Sequence, residues 1–311
     1  MKSHSIPVLP SSQTQTLAII GDPIEHSITP RIQNAAWSAL RASGTSADFV
    51  NVAFRVTPEN LEAAVCGARA LGLKGLMVTI PYKERVLALC DELHDSSRII
   101  GAANLLHFRD DGKIIGHSSD GWGAAQSLAA AGVLALGKSI CILGGGGAAR
   151  SLALTFAREG AREIVILNRT LERATRIAQE MSATGTVVRA AVLDESTLRA
   201  VLPTCDILVN TTSVGMHPRE DESPLPPGVL RQVELQPHFA VYDIVYNPLE
   251  TRLLREAKAV GALAIDGLGM LIYTNVYAAQ VCTGHEISAA VMREEALRAL
   301  GLVADQAIFE K

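Results

Sequence analysis

The chain has no run of about 18 uninterrupted apolar residues, so no segment is fit to cross a bilayer as a helix. It has no excess of positive charge either: the formal net charge is −4 at pH 7. Nucleic acids and anionic membrane surfaces both select a basic face, and neither is an expected partner. Cysteines are few, five in all at 66, 90, 141, 205 and 282. They are odd in number and scattered, with no Cys-x-x-Cys pair and no short-spaced Cys/His group, so reduced thiols and a cytoplasmic location are expected. The eight histidines form no His-Glu-x-x-His cluster, and no metal site is expected. Residues 1–15 lack the apolar centre of a signal peptide and are expected to form a loose tail. Internal repeats and low-complexity segments are absent as well.

What is present is an ordinary globular composition, 48% apolar and 19% charged over 311 residues, enough for two domains with a core each. The first half alternates strand and helix signals. LAIIG at 17–21 reads as a buried strand, and Thr29-Pro30 as a cap residue with proline opening a helix. Val50, Val52, Phe54 and Val56 alternate with other residues, which predicts a strand with one wet face. Thr57-Pro58 starts a second helix, LKGLMVTI is a third strand, ERVLALCDEL is helix-like, and NLLHFRDDGKIIGH is a hairpin about Asp111-Gly112. This alternation predicts an open, mostly parallel α/β sheet. From Gly121 a second α/β unit follows, with strands expected at 139–143, 163–167, 186–192, 206–210 and 240–245. HPREDESPLPPG at 217–228 is a long polar surface loop. Two helices and no further strand are expected after AIDG at 264–267.

The second unit opens on a strand, Ser139 to Leu143, that runs into GGGGAAR at 144–150 and then a helix. Gly144, Gly146 and Ala149 occupy the three small-residue positions of a dinucleotide fingerprint. They serve the tight turn, the close approach of backbone to a pyrophosphate, and the contact of helix with strand. The helix N-terminus adds free N–H groups and a partial positive charge. The next strand ends in Asn168-Arg169-Thr170, with Arg173 following and no acid. An acid there would bind a ribose 2′-hydroxyl; two guanidiniums instead fit a 2′-phosphate. The plainer alternative is a helix cap at Thr170 with solvated arginines.

In the first half, polar groups fall at strand ends: Ser27 and Thr29, Thr79 and Lys83, and then Asp120. Ligands of open parallel sheets sit beyond such ends. A lysine and a carboxylate facing one another can shuttle a proton to or from a substrate hydroxyl. A surface lysine and a helix-capping aspartate are the alternatives.

Together these stretches resemble the shikimate dehydrogenase family from residue 16 to 300. The resemblance is carried, in order, by GDPIEHSITP, GLMVTIPYKE, IGAANLL, HSSDGWG, GGGGAAR, NRTLER, NTTSVGM, DIVYNPLET and DGLGMLIYT. It implies a two-domain α/β fold in which an open substrate-binding domain (16–121 with 266–311) and a Rossmann domain (122–265) flank an active-site cleft. It implies the NADPH-dependent reversible reduction of 3-dehydroshikimate to shikimate, on the route to chorismate and the aromatic amino acids, by a monomer or homodimer. The family's catalytic pair falls on Lys83 and Asp120, and its carboxylate-binding pair on Ser27 and Thr29. Hydroxyl-binding positions fall on Thr79, Asn104, Tyr246 and Thr274. Cofactor positions fall on Gly144, Gly145, Gly146, Gly147 and Ala148, on Asn168, Arg169, Thr170 and Arg173, and on Ile244 and Gly267 near the nicotinamide. The chain departs from the family pattern at Thr29 (usually serine), Met77 (usually asparagine) and Thr274 (usually glutamine), and in Ala102-Ala103-Asn104-Leu105 and Ser118-Ser119-Asp120-Gly121. A paralogue acting on quinate, aminoshikimate or another cyclic hydroxy acid is the second reading, and a non-catalytic NADP-binding regulator the third.

Overall fold

A computed structural model describes residues 10–303; residues 1–9 of the expected tail and 304–311 of the expected first domain lie outside the described residues. The chain divides into two compact units, one running to Ser119 and resuming at Thr274, the other spanning Asp120–Tyr273.

The first unit contains β1 (Gln15–Gly21), α1 (Thr29–Ala42), β2 (Phe49–Arg55), α2 (Leu61–Ala70), β3 (Gly75–Val78), β4 (Glu92–Leu93), α3 (Asp95–Ile100), β5 (Leu105–Phe108) and β6 (Ile114–His117). Its sheet runs β2-β1-β3-β5-β6-β4. β2, β1 and β3 are parallel, as are β4 and β6, while β5 is antiparallel to β3 and β6; three of the five pairs are thus parallel, and the expected hairpin about Asp111-Gly112 is one of the two antiparallel ones. The segment expected as a helix over 84–93 is a 3-10 turn, Arg85–Leu89, followed by β4. Pairing outcompetes the helix there: Asp91 and His94 donate their N–H groups to Ile114 and Gly116 at 2.9 Å each. On β2 the wet-face expectation fails. Asn51 is buried under α1 and bonded to it, whereas Phe54 is 51% exposed on this edge strand. Thr29 is not the cap of α1: Ile28 holds that position, and Thr29 is a buried first helical residue. Val65, Leu76, Val78, Tyr82, Val86 and Leu106 are among the residues forming the core on the other face of the sheet.

The second unit contains α4 (Asp120–Ala130), β7 (Ser139–Leu143), α5 (Gly147–Arg158), β8 (Glu163–Asn168), α6 (Leu171–Glu180), β9 (Val187–Val192), α7 (Glu195–Val201), β10 (Ile207–Asn210), β11 (Ala240–Asp243), α8 (Arg252–Lys258) and β12 (Leu263–Ile265). Two last helices follow, α9 (Leu268–Thr283), within which the division between units falls, and α10 (Ala289–Ala299). All pairs in this sheet are parallel, in the order β12-β11-β10-β7-β8-β9. Numbered from β7, that is the doubly wound order of dinucleotide-binding folds, with its switch point between β7 and β10. β12 was not expected; its three residues are too few to show a period. The loop over 217–228 is exposed chiefly in its first half, and Leu225 enters the core beside Leu198, Leu202 and Val229.

Candidate active site

In the first unit, one hydrogen-bonded corner holds three of the candidate residues. β3 hands the chain to a turn in which Thr79 donates its N–H to the Ile20 carbonyl and accepts from Tyr82 N–H, both at 3.0 Å. The Tyr82 ring is fully buried, and its hydroxyl donates to the Val56 carbonyl. A Cβ at Gly21 would come within 2.6 Å of Thr79 Cγ2, so glycine is required where β1 passes this turn. Lys83, half-buried, accepts through its carbonyl from Ala103 N–H at 2.7 Å. The next residue, Asn104, is bonded on both sides, its carbonyl accepting from Val78 N–H at 2.8 Å and its N–H donating to His117 at 2.9 Å. The Asn104 side chain donates to Ser119 Oγ at 3.0 Å and accepts from Ser119 N–H at 2.9 Å. Thus Thr79, Lys83 and Asn104 share one scaffold, which also fixes the residue before Asp120. Ser27 is half-buried, and its Oγ accepts from Thr29 N–H at 3.4 Å, placing both hydroxyl residues at the start of α1.

Behind this corner lies a buried set of amides that the sequence reading did not single out. Gln33, 0% exposed, donates from Nε2 to Asn275 Oδ1 at 2.9 Å and to Met77 Sδ at 3.6 Å, and accepts from Asn51 Nδ2 at 2.9 Å. Gln33 is one helical turn beyond Thr29, Met77 two residues before Thr79 on the same strand face, and Asn275 next to Thr274. The segments that carry Thr29, Thr79 and Thr274 therefore each carry a member of the network as well. Where an asparagine was expected at 77, the thioether serves as a weak acceptor. The one available signal was Gln33 among the apolar residues Ile32, Ala36 and Trp37 on the buried face of α1. At the end of β6, the His117 ring stacks on His94 at 5.0 Å, and its Nδ1 lies 3.2 Å from Tyr277 Oη. Burial, with His94 and His107 adding repulsion, holds its pKa down at about 4.

In the second unit the glycine turn leaves β7 at Gly144, whose φ of +121° only glycine adopts without strain. A Cβ there would come within 2.5 Å of Thr211 Oγ1, a hydroxyl that itself donates to the Leu143 carbonyl at 2.7 Å. Gly145 lies against Asn168 and Arg173, which would sit 3.0 and 2.9 Å from a Cβ. Gly146, the cap residue of α5, and Gly147 are exposed, and a Cβ on either would meet nothing within 4 Å. That open cradle precedes the α5 N-terminus, with Ala148 half-buried in the first turn and Ala149 fully buried against the sheet. Its backbone N–H groups and helix dipole suit a pyrophosphate. Arg169, Thr170 and Arg173 are exposed at the end of β8 and the start of α6, and among the described residues neither guanidinium has an ion-pair partner. Thr170 holds the cap position of α6 but makes no side-chain cap bond; its carbonyl accepts from Asn168 Nδ2 at 2.8 Å. The donor set fits a dinucleotide carrying a 2′-phosphate.

The segment that carries Ile244 and Tyr246 is held by Asp243, another residue not singled out. Its carboxylate, 0% exposed, accepts from Asn210 Nδ2 at 2.9 Å, Val245 N–H at 3.1 Å and Thr251 Oγ1 at 2.7 Å. Burial pushes its pKa up to about 6 against those three bonds. It thereby joins β10, β11 and the segment carrying Ile244 and Tyr246. Ile244 N–H donates to the Asn210 carbonyl at 3.1 Å, and a Cβ at Gly267 would overlap the Ile244 carbonyl, so that crossing demands glycine. Tyr246 is half-buried, its phenol pKa raised by burial. Asp120, half-buried, is the first residue of α4. Thr274 is half-buried on α9. Among the described residues no group of three His, Cys, Asp or Glu side chains could hold a metal ion, and no helix is long and apolar enough to cross a membrane.

Comparison with known proteins bears on both units. A family model for the shikimate dehydrogenase substrate binding domain matches residues 19–106, and one for shikimate/quinate 5-dehydrogenase matches residues 127–220. The shikimate dehydrogenase (NADP(+)) of Methanopyrus kandleri is 43% identical over 298 residues, 95% of this chain and 99% of its own length. A crystal structure of a shikimate dehydrogenase in complex with NADP+ superposes with a TM-score of 0.83 at 37% identity, covering 95% of this chain and 99% of the other. That of the Listeria monocytogenes shikimate 5-dehydrogenase, in complex with shikimate and NAD, gives a TM-score of 0.85 at 32% identity, covering 93% and 98%.

Proposed function

This chain belongs to the shikimate dehydrogenase family, and on that premise we propose that it interconverts 3-dehydroshikimate and shikimate with NADP as redox partner. The observation that carries the reading is the corner that pins Lys83 beside Thr79 and Asn104. NADPH, when bound by the glycine cradle with Arg169 and Arg173 on its 2′-phosphate, supplies the hydride that reduces the ring ketone. Lys83 gives its Nζ proton to the oxygen that becomes the hydroxyl and, as an ammonium, stabilises the charge developing there. In the oxidative direction it takes that proton back. The family pattern assigns Asp120 to hold Lys83 charged and oriented, Ser27 and Thr29 to receive the substrate carboxylate, and Thr79, Asn104, Tyr246 and Thr274 to bind ring hydroxyls. Ile244 and Gly267 shape the nicotinamide end.

All these groups belong to one chain, so a monomer or a homodimer suffices. Five free cysteines agree with a cytoplasmic location. A related ring acid, quinate or aminoshikimate, is the second reading, favoured by Thr29, Met77 and Thr274. A non-catalytic NADP-binding regulator is disfavoured by retention of Lys83 and Asp120, which a mere binder does not need. Oxidation rates of shikimate and quinate, each with NADP+ and NAD+, test the reading. The highest kcat/KM is expected for shikimate with NADP+. A higher value for quinate transfers the function to the second reading, and no oxidation of either leaves only binding.

A further inference from the structure

Helix α4 begins at Asp120, and the first N–H groups of any helix lack partners within it. The second residue, Gly121, donates its N–H to Ser151 Oγ at 2.9 Å. Ser151 is 1% exposed and stands one turn into α5, the helix whose N-terminus forms the glycine cradle. The two helices meet without intervening side chain: a Cβ at Gly121 would overlap Thr155 Oγ1 and lie 2.5 Å from the Ser151 carbonyl. Gly121 is therefore wedged between two successive turns of α5 and held there by one hydrogen bond. Asp120 is covalently next to it, so the start of its side chain takes its position from α5.

We propose that Ser151 is a positioning residue for Asp120, coupling the placement of that carboxylate to the helix that carries the cofactor cradle. The inference rests on the family reading, which makes Asp120 the partner of Lys83. Ser151 touches neither reactant; it acts through the first turn of α4. When it is lost, Gly121 N–H has no acceptor in a buried contact, the turn loosens, and Asp120 departs from the geometry in which it orients the lysine. Displacements on the order of 1 Å suffice to lower turnover by about 10²-fold.

The test uses the full-length enzyme carrying Ser151→Ala, Ser151→Cys and Thr155→Ala. Ser151→Ala is expected to lower kcat by roughly ten-fold or more while the dissociation constant for NADPH, read by fluorescence titration, stays within about two-fold. Cysteine, a weak acceptor of similar size, is expected to recover part of the lost kcat. Thr155→Ala removes packing but leaves the hydrogen bond, and is expected to turn over like the wild type. In an Asp120→Asn background, Ser151→Ala should cost little further, because the group it positions is already disabled. Amide exchange at the first turn of α4 should accelerate in Ser151→Ala, a readout that needs no substrate and stands apart from the choice of ring acid. Retention of wild-type kcat, a proportionate loss of NADPH affinity, or full additivity with Asp120→Asn would each overturn the proposal. A wild-type chain that oxidises no ring acid would overturn the functional reading instead, with the exchange result still deciding whether Ser151 holds the α4 turn.

Discussion

In the nucleotide-binding unit, what faces a ligand is mostly backbone, a bare glycine cradle at a helix N-terminus, with two exposed arginines beside it. In the other unit, the groups proposed to face a ligand are side chains, backed by the buried amides Gln33, Asn51 and Asn275. The first design binds a shape common to all dinucleotides, so it tolerates change in its surroundings. The second sets the directions of individual hydroxyl and amide groups, so it depends on residues that touch no substrate. Affinity for cofactor and discrimination among ring acids should therefore respond to different substitutions.

The sharpest break between the two is expected at Lys83. Lys83→Ala should lower kcat by about 10²–10⁴-fold, with NADPH affinity by fluorescence titration unchanged. An equal loss of both would erase the distinction drawn between the units. Next in size is Arg169→Ala with Arg173→Ala. Loss of hydrogen bonds to a charged phosphate at about 1.5–3 kcal/mol each should cut kcat/KM for NADP+ by at least about 10²-fold and spare NAD+. Because both arginines are exposed and free of ion-pair partners, the thermal midpoint should not move.

Gln33→Leu should do the reverse. It strands Asn51 Nδ2 in a buried setting and takes one donor from Asn275 Oδ1, a cost of about 1–3 kcal/mol. The thermal midpoint should fall and KM for the ring acid should rise, with NADPH affinity intact. A variant as stable as the wild type would show that the amides are not what holds this side of the unit.

The smallest effect is expected at His117. Its pKa in the folded unit, about 4, lies below the ordinary 6.5. As pH falls from 6.5 toward 4, the unfolded chain takes up the proton and the folded one does not, so stability is lost over that window. His117→Asn should flatten the dependence of the urea midpoint on pH between 7 and 4.5. An unchanged slope would assign the acid sensitivity elsewhere.

Legibility followed the same division. The strands at β7 to β11, the glycine turn and the arginine pair are local patterns, and they lie close to where the sequence puts them. The first sheet was harder. A helical period over 84–93 gave way to a 3-10 turn and an edge strand, because pairing with β6 decides that segment from outside it. The apolar alternation on β2 hid the inward-facing Asn51, which is buried only because α1 brings Gln33 and Asn34 to it. Asp243 falls inside an expected strand with nothing to single it out, although its carboxylate bonds β10 to the segment before α8.

By itself, the sequence determined which groups exist and which helices and turns they open: Lys83 after a proline turn, Asp120 at the start of a helix, glycines where a phosphate needs backbone. Those follow from steric limits and hydrogen bonding among near neighbours. Only the tertiary structure decided which polar side chains are buried and what they hold. Gln33 and Asn275 stand 242 residues apart, and Gly121 and Ser151 stand 30 apart. No spacing encodes such a pair, because a buried amide or hydroxyl is stable only when the partner arriving from elsewhere satisfies it.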